Sequence, residues 1–183
     1  MPVEYLKETP SQTAGPYVHI GTLPGYAGLP ERPGDAELSR LEGEGPRIVL
    51  EGFLYDGGGA PVTDAMLEIY QLDGAGRAIW GRTGADFVSG LWRFDTVLPA
   101  AKPPLGEVAQ APHIDLLIFA RGINIHLHTR AYLPGSSDAL TADPVLARTG
   151  ARRDTLIARQ AEDTVFRFDI ALQGARETVF FDM

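Results

Sequence analysis

The 183-residue sequence contains no cysteine, which excludes disulfides, thiolate zinc sites and a cysteine nucleophile together. Basic residues are scarce beside acidic ones, with 16 Lys and Arg against 24 Asp and Glu. A net charge of −8 and a pI near 4.9 repel polyanions over most of the surface, so neither nucleic acid nor an anionic membrane is an expected partner. Long apolar runs are missing too. No stretch approaches the roughly 20 residues that span a bilayer, and Met1-Pro2-Val3-Glu4 has neither the basic nor the apolar region of a secretory signal. A soluble cytoplasmic protein is expected. In place of these features stand 21 Gly, 14 Pro and 44% hydrophobic residues in short segments, the composition of a turn-rich, all-β chain with one core.

Seven prolines fall within the first 46 residues, a density that interrupts any long helix and blocks central-strand pairing. Residues 1–46 therefore read as an extended N-terminal arm, with Asp35 placed to cap one short helix through Leu41. Residues 47–183 read as the globular domain. Its candidate strands are Ile48 to Tyr55, Met66 to Leu72, Leu91 to Val97, His113 to Ala120, Ile123 to Leu133 and Val165 to Leu172, separated by turns such as Asp56-Gly57-Gly58-Gly59, Asp73-Gly74-Ala75-Gly76 and Arg121-Gly122. Val165 to Leu172 alternates most cleanly, with Phe166, Phe168, Ile170 and Leu172 on one face. Asp154 to Gln160 has the spacing of a short helix capped by Asp154. The expected fold is a single β-sandwich with one or two short helices.

Few residue patterns carry chemistry. His126 and His128 share a strand face and could offer two imidazoles to a metal, with His113 or His19 as further ligands. A two-residue period puts any polar pair on one face, however, and no Glu lies near as a third ligand, so a solvated or interface role is favoured. No Gly-x-Ser-x-Gly elbow supports a serine nucleophile, and Gly57-Gly58-Gly59 lacks the remainder of a phosphate loop. Arg121, at the end of an apolar strand, could bind a carboxylate in a bidentate fashion, although on chemistry alone an ordinary loop arginine is the better reading. Tyr17, in the rigid Thr13-Ala14-Gly15-Pro16-Tyr17 stretch, suits either a substrate pocket or simple packing, and the two readings stand level.

Three stretches taken together point further. They are Thr9-Pro-Ser-Gln-Thr-Ala-Gly-Pro-Tyr17-Val-His-Ile, then Glu51-Gly-Phe-Leu-Tyr-Asp56 with Pro61-Val-Thr-Asp-Ala-Met-Leu-Glu-Ile-Tyr-Gln71, and finally Ala111-Pro-His-Ile114 with Phe119-Ala-Arg-Gly-Ile-Asn-Ile-His-Leu-His-Thr-Arg130 and Glu177-Thr-Val-Phe-Phe-Asp182. They resemble the intradiol ring-cleavage dioxygenases, and within that family the α chains of two-chain members. The resemblance implies a β-sandwich that pairs with a β chain and assembles into a larger αβ oligomer. It implies an oxidoreductase of aromatic catabolism, in the β-ketoadipate pathway, that cleaves protocatechuate with O2 to 3-carboxy-cis,cis-muconate.

Iron-binding members of the family hold Fe3+ through two tyrosinates and two histidines, a donor set that suits a hard cation. Carried onto this sequence, one histidine position falls on His113 and the other on Asp115. One tyrosine position falls on Ala78, and the segment from Pro99 to Pro112 that should hold the other has no tyrosine. Three of four ligands are absent, so the resemblance implies vestigial positions at Ala78, His113 and Asp115 and no catalytic residue in this chain alone. Fe3+ is then expected in the β chain, with Thr13, Gly15, Pro16, Tyr17 and Arg121 lining that chain's substrate pocket. A non-catalytic β-sandwich binding or scaffolding protein is the alternative.

Overall fold

The computed structural model describes residues 17–34, 38–105, 108–135 and 137–182. Among the described residues, nine strands build two packed sheets. β1 (Arg47–Tyr55), β2 (Met66–Leu72), β3 (Ala78–Gly84), β4 (Leu91–Val97), β5 (His113–Phe119) and β6 (Leu127–Tyr132) are followed by three short ones, β7 (Arg159–Glu162), β8 (Val165–Arg167) and β9 (Ile170–Ala171). One sheet has the order β4-β1-β8-β7, with β9 also on β1, and the other has the order β3-β2-β5-β6. β1 is the centre of the first sheet, antiparallel to β4 and parallel to β8 and β9.

The core follows from strand alternation, because side chains two apart share a face. Leu50, Leu54, Trp92, Phe94, Phe166 and Ile170 from the first sheet meet Leu67, Ile69, Ile114, Leu116 and Ile118 from the second. Burying each such large side chain contributes about 1.5–3 kcal/mol. A second, smaller apolar cluster of Ala111, Tyr132, Leu146 and Leu156 lies outside the second sheet. Leu146 belongs to α3 (Pro144–Arg148), which follows α2 (Ser137–Ala142), while Leu156 ends a 3₁₀ helix at Gly150–Leu156. Among the described residues no helix is long and apolar enough to cross a membrane.

Several sequence expectations need correction. β3 was not foreseen, and the segment reading as one strand from Val165 to Leu172 is two. Phe168 donates its N–H to the Glu51 carbonyl at 2.8 Å, and the Asp169 carboxylate takes the Phe53 N–H at 3.0 Å, so pairing with β1 is interrupted between β8 and β9. The helix expected from Asp154 to Gln160 is displaced: Asp154 lies within the 3₁₀ helix, and Arg159 and Gln160 open β7. β6 begins at Leu127 instead of Ile123, and Ile125 is left exposed in the preceding connection.

The arm is less extended than expected, because α1 (Tyr17–Thr22) forms within it. Thr13, Gly15, Pro16 and Asp35 lie outside the described residues. Beyond Asp35, Leu38 to Leu41 is not helical. Its backbone bonds to neighbouring strands, accepting from Arg82 at Leu38 and from Asp95 at Ser39, and donating from Leu41 to the Asp95 carbonyl.

The interruption between β8 and β9 depends on Gly52. A Cβ there would fall inside the Phe168 carbonyl and 2.9 Å from Trp92 Cζ2. Both neighbours are fixed, one as backbone and the other as a fully buried ring. Gly52→Ala is expected to destabilise the fold by about 3 kcal/mol or more, read as a fall in the urea midpoint with the slope unchanged.

Candidate functional site

β5 has two different faces. Ile114, Leu116 and Ile118 point into the core, whereas His113 and Asp115 point outward, beside β6 residues of the same face. Register places His113 opposite Tyr132 and Asp115 opposite Arg130. Ala78 joins them on this outer face, since it pairs with Leu72 on β2, two residues along from Tyr70, which pairs with Asp115. The structure therefore gathers the three positions Ala78, His113 and Asp115 on one face.

Asp115 is the hub. Its Oδ2 pairs with the Lys102 ammonium, and its Oδ1 lies 3.1 Å from Arg130 Nε, 3.2 Å from His128 Nε2 and 3.7 Å from His113 Nε2. Arg130 also donates to the Gln110 amide oxygen at 3.0 Å and lies over the Phe181 ring. Tyr132 then donates its hydroxyl to Asp143 Oδ1 at 3.2 Å. Asp143 is fully buried, capping α3 through the N–H groups of Val145 and Leu146 and accepting the Ala111 N–H through its other oxygen. A chain of charge-assisted hydrogen bonds thus links the face of the second sheet to the helices covering it.

Burial sets the protonation of this group. His113, wholly inaccessible, is lowered to about 3, chiefly by desolvation, with the Arg130 and Lys102 charges pushing the same way. His128 is lowered to about 4 by the same causes. Desolvation and Arg130 together pull the Lys102 ammonium down to about 8. The Tyr132 phenol is pushed up to about 12, first by desolvation. Both imidazoles are neutral and the phenol stays protonated. Because Ala111 offers His113 Nδ1 a carbonyl oxygen at 2.7 Å, that nitrogen carries the hydrogen, and the buried Nε2 is bare.

These residues do not fit ferric iron. Ala78 has no donor atom, and Tyr132, the tyrosine of this network, is a neutral phenol committed to Asp143. Asp115 is already matched by two cations, which would repel a third. Among the described residues no group of three His, Asp or Glu side chains converges as a metal site. His126 and His128 do not converge either: His126 lies near Phe119, while His128 is mostly buried against Asp115 and Phe181, so of the solvated or interface role expected of the pair the solvated one does not hold for His128. His19 lies elsewhere, against Tyr26 and Phe87.

Arg121 and the arm meet at another corner. Arg121 opens the turn after β5, where Gly122 adopts a positive φ of 80°, and its guanidinium is two-thirds exposed. Arg121 Nε lies 3.3 Å from Asp64 Oδ1. α1, which begins at Tyr17, packs on the adjacent ends of β2 and β3. Thr22 donates to Met66 Sδ at 3.1 Å, and Leu23 and Tyr26 cover Gly84. α1 and Arg121, far apart in sequence, therefore lie at the same end of the second sheet, since Met66 pairs with both Gly84 and Phe119. Lys102, Arg130 and Asp143 were not singled out from sequence. Only Asp143 carried a signal, as an Asp-Pro helix start.

A groove of about 900 Å³ runs beside Gly57-Gly58-Gly59, but Asp56, Asp154 and Asp169 also line it. That charge disfavours phosphate and agrees with a plain hairpin turn. A cleft of about 670 Å³ next to His128 contains Arg130, Arg148 and Arg152. Arg130 is paired with Asp115 and Arg152 with Glu177, and Asp182 also lines the cleft.

No protein-family model matches the chain. The fold is similar to that of hydroxyquinol 1,2-dioxygenase from Pseudomonas putida DLL-E4, with a TM-score of 0.57 and 18% identity over 70% of this chain and 56% of that one, so this chain spans just over half of that relative's length. It is equally similar to an intradiol ring-cleavage dioxygenase from Tetranychus urticae, with a TM-score of 0.56 and 18% identity over 71% and 82% of the two chains. The sandwich thus has the fold found in intradiol dioxygenases. Closer in sequence is the protocatechuate 3,4-dioxygenase α chain of Pseudomonas putida, 44% identical over 200 residues that cover all of both chains. The α chain of Burkholderia cepacia is 38% identical over 97% of this chain and 98% of its own length. The β chain from Burkholderia cepacia is 33% identical over 73% of this chain and 67% of its own. The chain belongs to the protocatechuate 3,4-dioxygenase α chain family.

Two outcomes follow from the Asp115 network. Asp115→Asn leaves two partly buried cations facing a neutral amide and is expected to destabilise the fold by about 3 kcal/mol, measured by chemical denaturation. The histidines make stability fall with acid. Their folded pKa values lie below the unfolded 6.5, so the unfolded chain takes up protons first. Stability is complete above pH 6.5 and declines towards pH 3, at up to about 1.4 kcal/mol per pH unit for each histidine. Denaturation midpoints measured from pH 7 to pH 4 should fall less steeply in His128→Gln than in the native chain.

Proposed function

We propose that this chain is the α subunit of a protocatechuate 3,4-dioxygenase, pairing with a β chain to cleave protocatechuate with O2 to 3-carboxy-cis,cis-muconate. The observation that carries this reading is the 44% identity with an α chain over the whole of both sequences. The β chain's 33% identity supports a complex of two like sandwiches, assembled further into an αβ oligomer. In this reading residues 1–46 form the arm that contacts the partner, and residues 47–183 form the sandwich. The cytoplasm is the proposed compartment, in keeping with the cysteine-free composition.

Fe3+ belongs to the β chain in this scheme. Support comes from the cations that fill this chain's own face at Asp115. What remains for the α chain is binding and orientation. Arg121 meets the substrate carboxylate from the pocket edge, while Thr13, Gly15, Pro16 and Tyr17 bring rigid backbone against the ring. The exposure of the guanidinium, two-thirds open to solvent, supports that assignment.

Co-expression of the two chains should give a complex carrying one iron per αβ pair, and the α chain purified alone should contain none. Stoichiometric iron with a tyrosinate absorption band in the isolated α chain would sink the proposal. In the complex, Arg121→Ala should raise KM for protocatechuate by about 30-fold, the loss of about 2 kcal/mol from a charge-assisted pair, with little change in kcat.

A further inference from the structure

We propose that Asp64 is a positioning residue, which holds the Arg121 guanidinium in the orientation that receives the substrate carboxylate. This rests on the reading of Arg121 given above. Asp64 lies in the turn that leads into β2, with its side chain 26% exposed. Its Oδ1 is buried and accepts no hydrogen bond, and among the described residues its ion-pair partner is Arg121.

The geometry explains how one carboxylate serves another. An arginine stem is long and samples many rotamers, so an unheld guanidinium loses side-chain freedom each time it captures a ligand. Asp64 Oδ1 lies 3.3 Å from Nε, the inner nitrogen of the fork, which leaves the two outer nitrogens for a second, bidentate carboxylate. Asp64 also brings a negative charge near an anionic substrate. At two-thirds exposure of the guanidinium, water and salt screen that repulsion, and the ordering effect is the larger.

The same carboxylate lies on the side of the molecule where α1 packs. His19 of α1 is only 4% exposed, and its ring lies against Tyr26 and Phe87 close to the Asp64-Ala65 backbone. Burial lowers the pKa of His19, and the Asp64 charge opposes that shift, which places the two groups within electrostatic reach. Asp64 thus lies 45 residues along the chain from His19 and 57 from Arg121.

The test uses the assembled αβ enzyme with Asp64→Asn in the α chain. The expected result is a KM for protocatechuate raised about 10-fold, with kcat changed less than about twofold. KM for catechol, which lacks the carboxylate, should not move, and Asp64→Glu should restore much of the protocatechuate KM. A merely structural role would instead impair both substrates alike, and that outcome overturns the proposal. So does a protocatechuate KM within about twofold of wild type while Arg121→Ala still raises it, in which case the assignment of Arg121 survives. If Arg121→Ala also leaves KM unchanged, the underlying reading fails and Asp64 falls with it. Should Asp64→Asn fail to assemble, Asp64→Ser is read by the same comparison of substrates.

Discussion

A carboxylate withdrawn from water must be matched by positive charge, and much of this molecule is arranged around that requirement at Asp115. Lys102 is drawn in from the Pro-rich connection before β5, Arg130 from β6 and His128 from the same strand. Through Arg130, Tyr132 and Asp143 the requirement passes to α3 and to the backbone of Ala111. The face of a sheet that could have been solvated is covered as a result. An ammonium and a guanidinium of the chain's own meet the Asp115 charge, and His113 lies beside them as a neutral, buried side chain.

The two ends of β5 do different work. At His113 and Asp115 the outer face is closed, charge-balanced and structural. Beyond Phe119 the strand runs into the exposed turn at Arg121 and Gly122, where a cation faces solvent beside α1. One strand therefore divides the chain's closed, structural side from the side assigned to the shared pocket.

Much of the sandwich was legible from local pattern. β1, β2, β4 and β5 lie where apolar, β-branched runs bounded by Gly and Asp turns put them, because both core packing and turn chemistry act at short range. β3 was not legible, since Ala78-Ile-Trp-Gly-Arg-Thr-Gly84 alternates poorly and is held by its pairing with β2. The division of β8 from β9 depends on Gly52, 116 positions before Phe168, and no local window contains both. At the site the contrast is similar. His113 and Asp115 share a face by their spacing alone, whereas Lys102 and Arg130 reach Asp115 only through the tertiary fold. His128 was legible as a polar face residue, but its burial was not, because the C-terminal Phe181 is what covers it. The arm residues Thr13, Gly15 and Pro16 remain a sequence-level assignment.

The position of β1 shapes how the protein is made. This strand is central to its sheet, yet two of its pairing strands, β8 and β9, lie more than 100 residues further along the chain. On the ribosome, β1 and β4 emerge early and must wait, with one edge of β1 open, until Val165 to Ala171 have been synthesised. An unpaired apolar strand edge is a template for other chains. Nascent or truncated chains should therefore be clients for chaperones, and the early closing of the β2-β3-β5-β6 sheet becomes the first protection the growing polypeptide has.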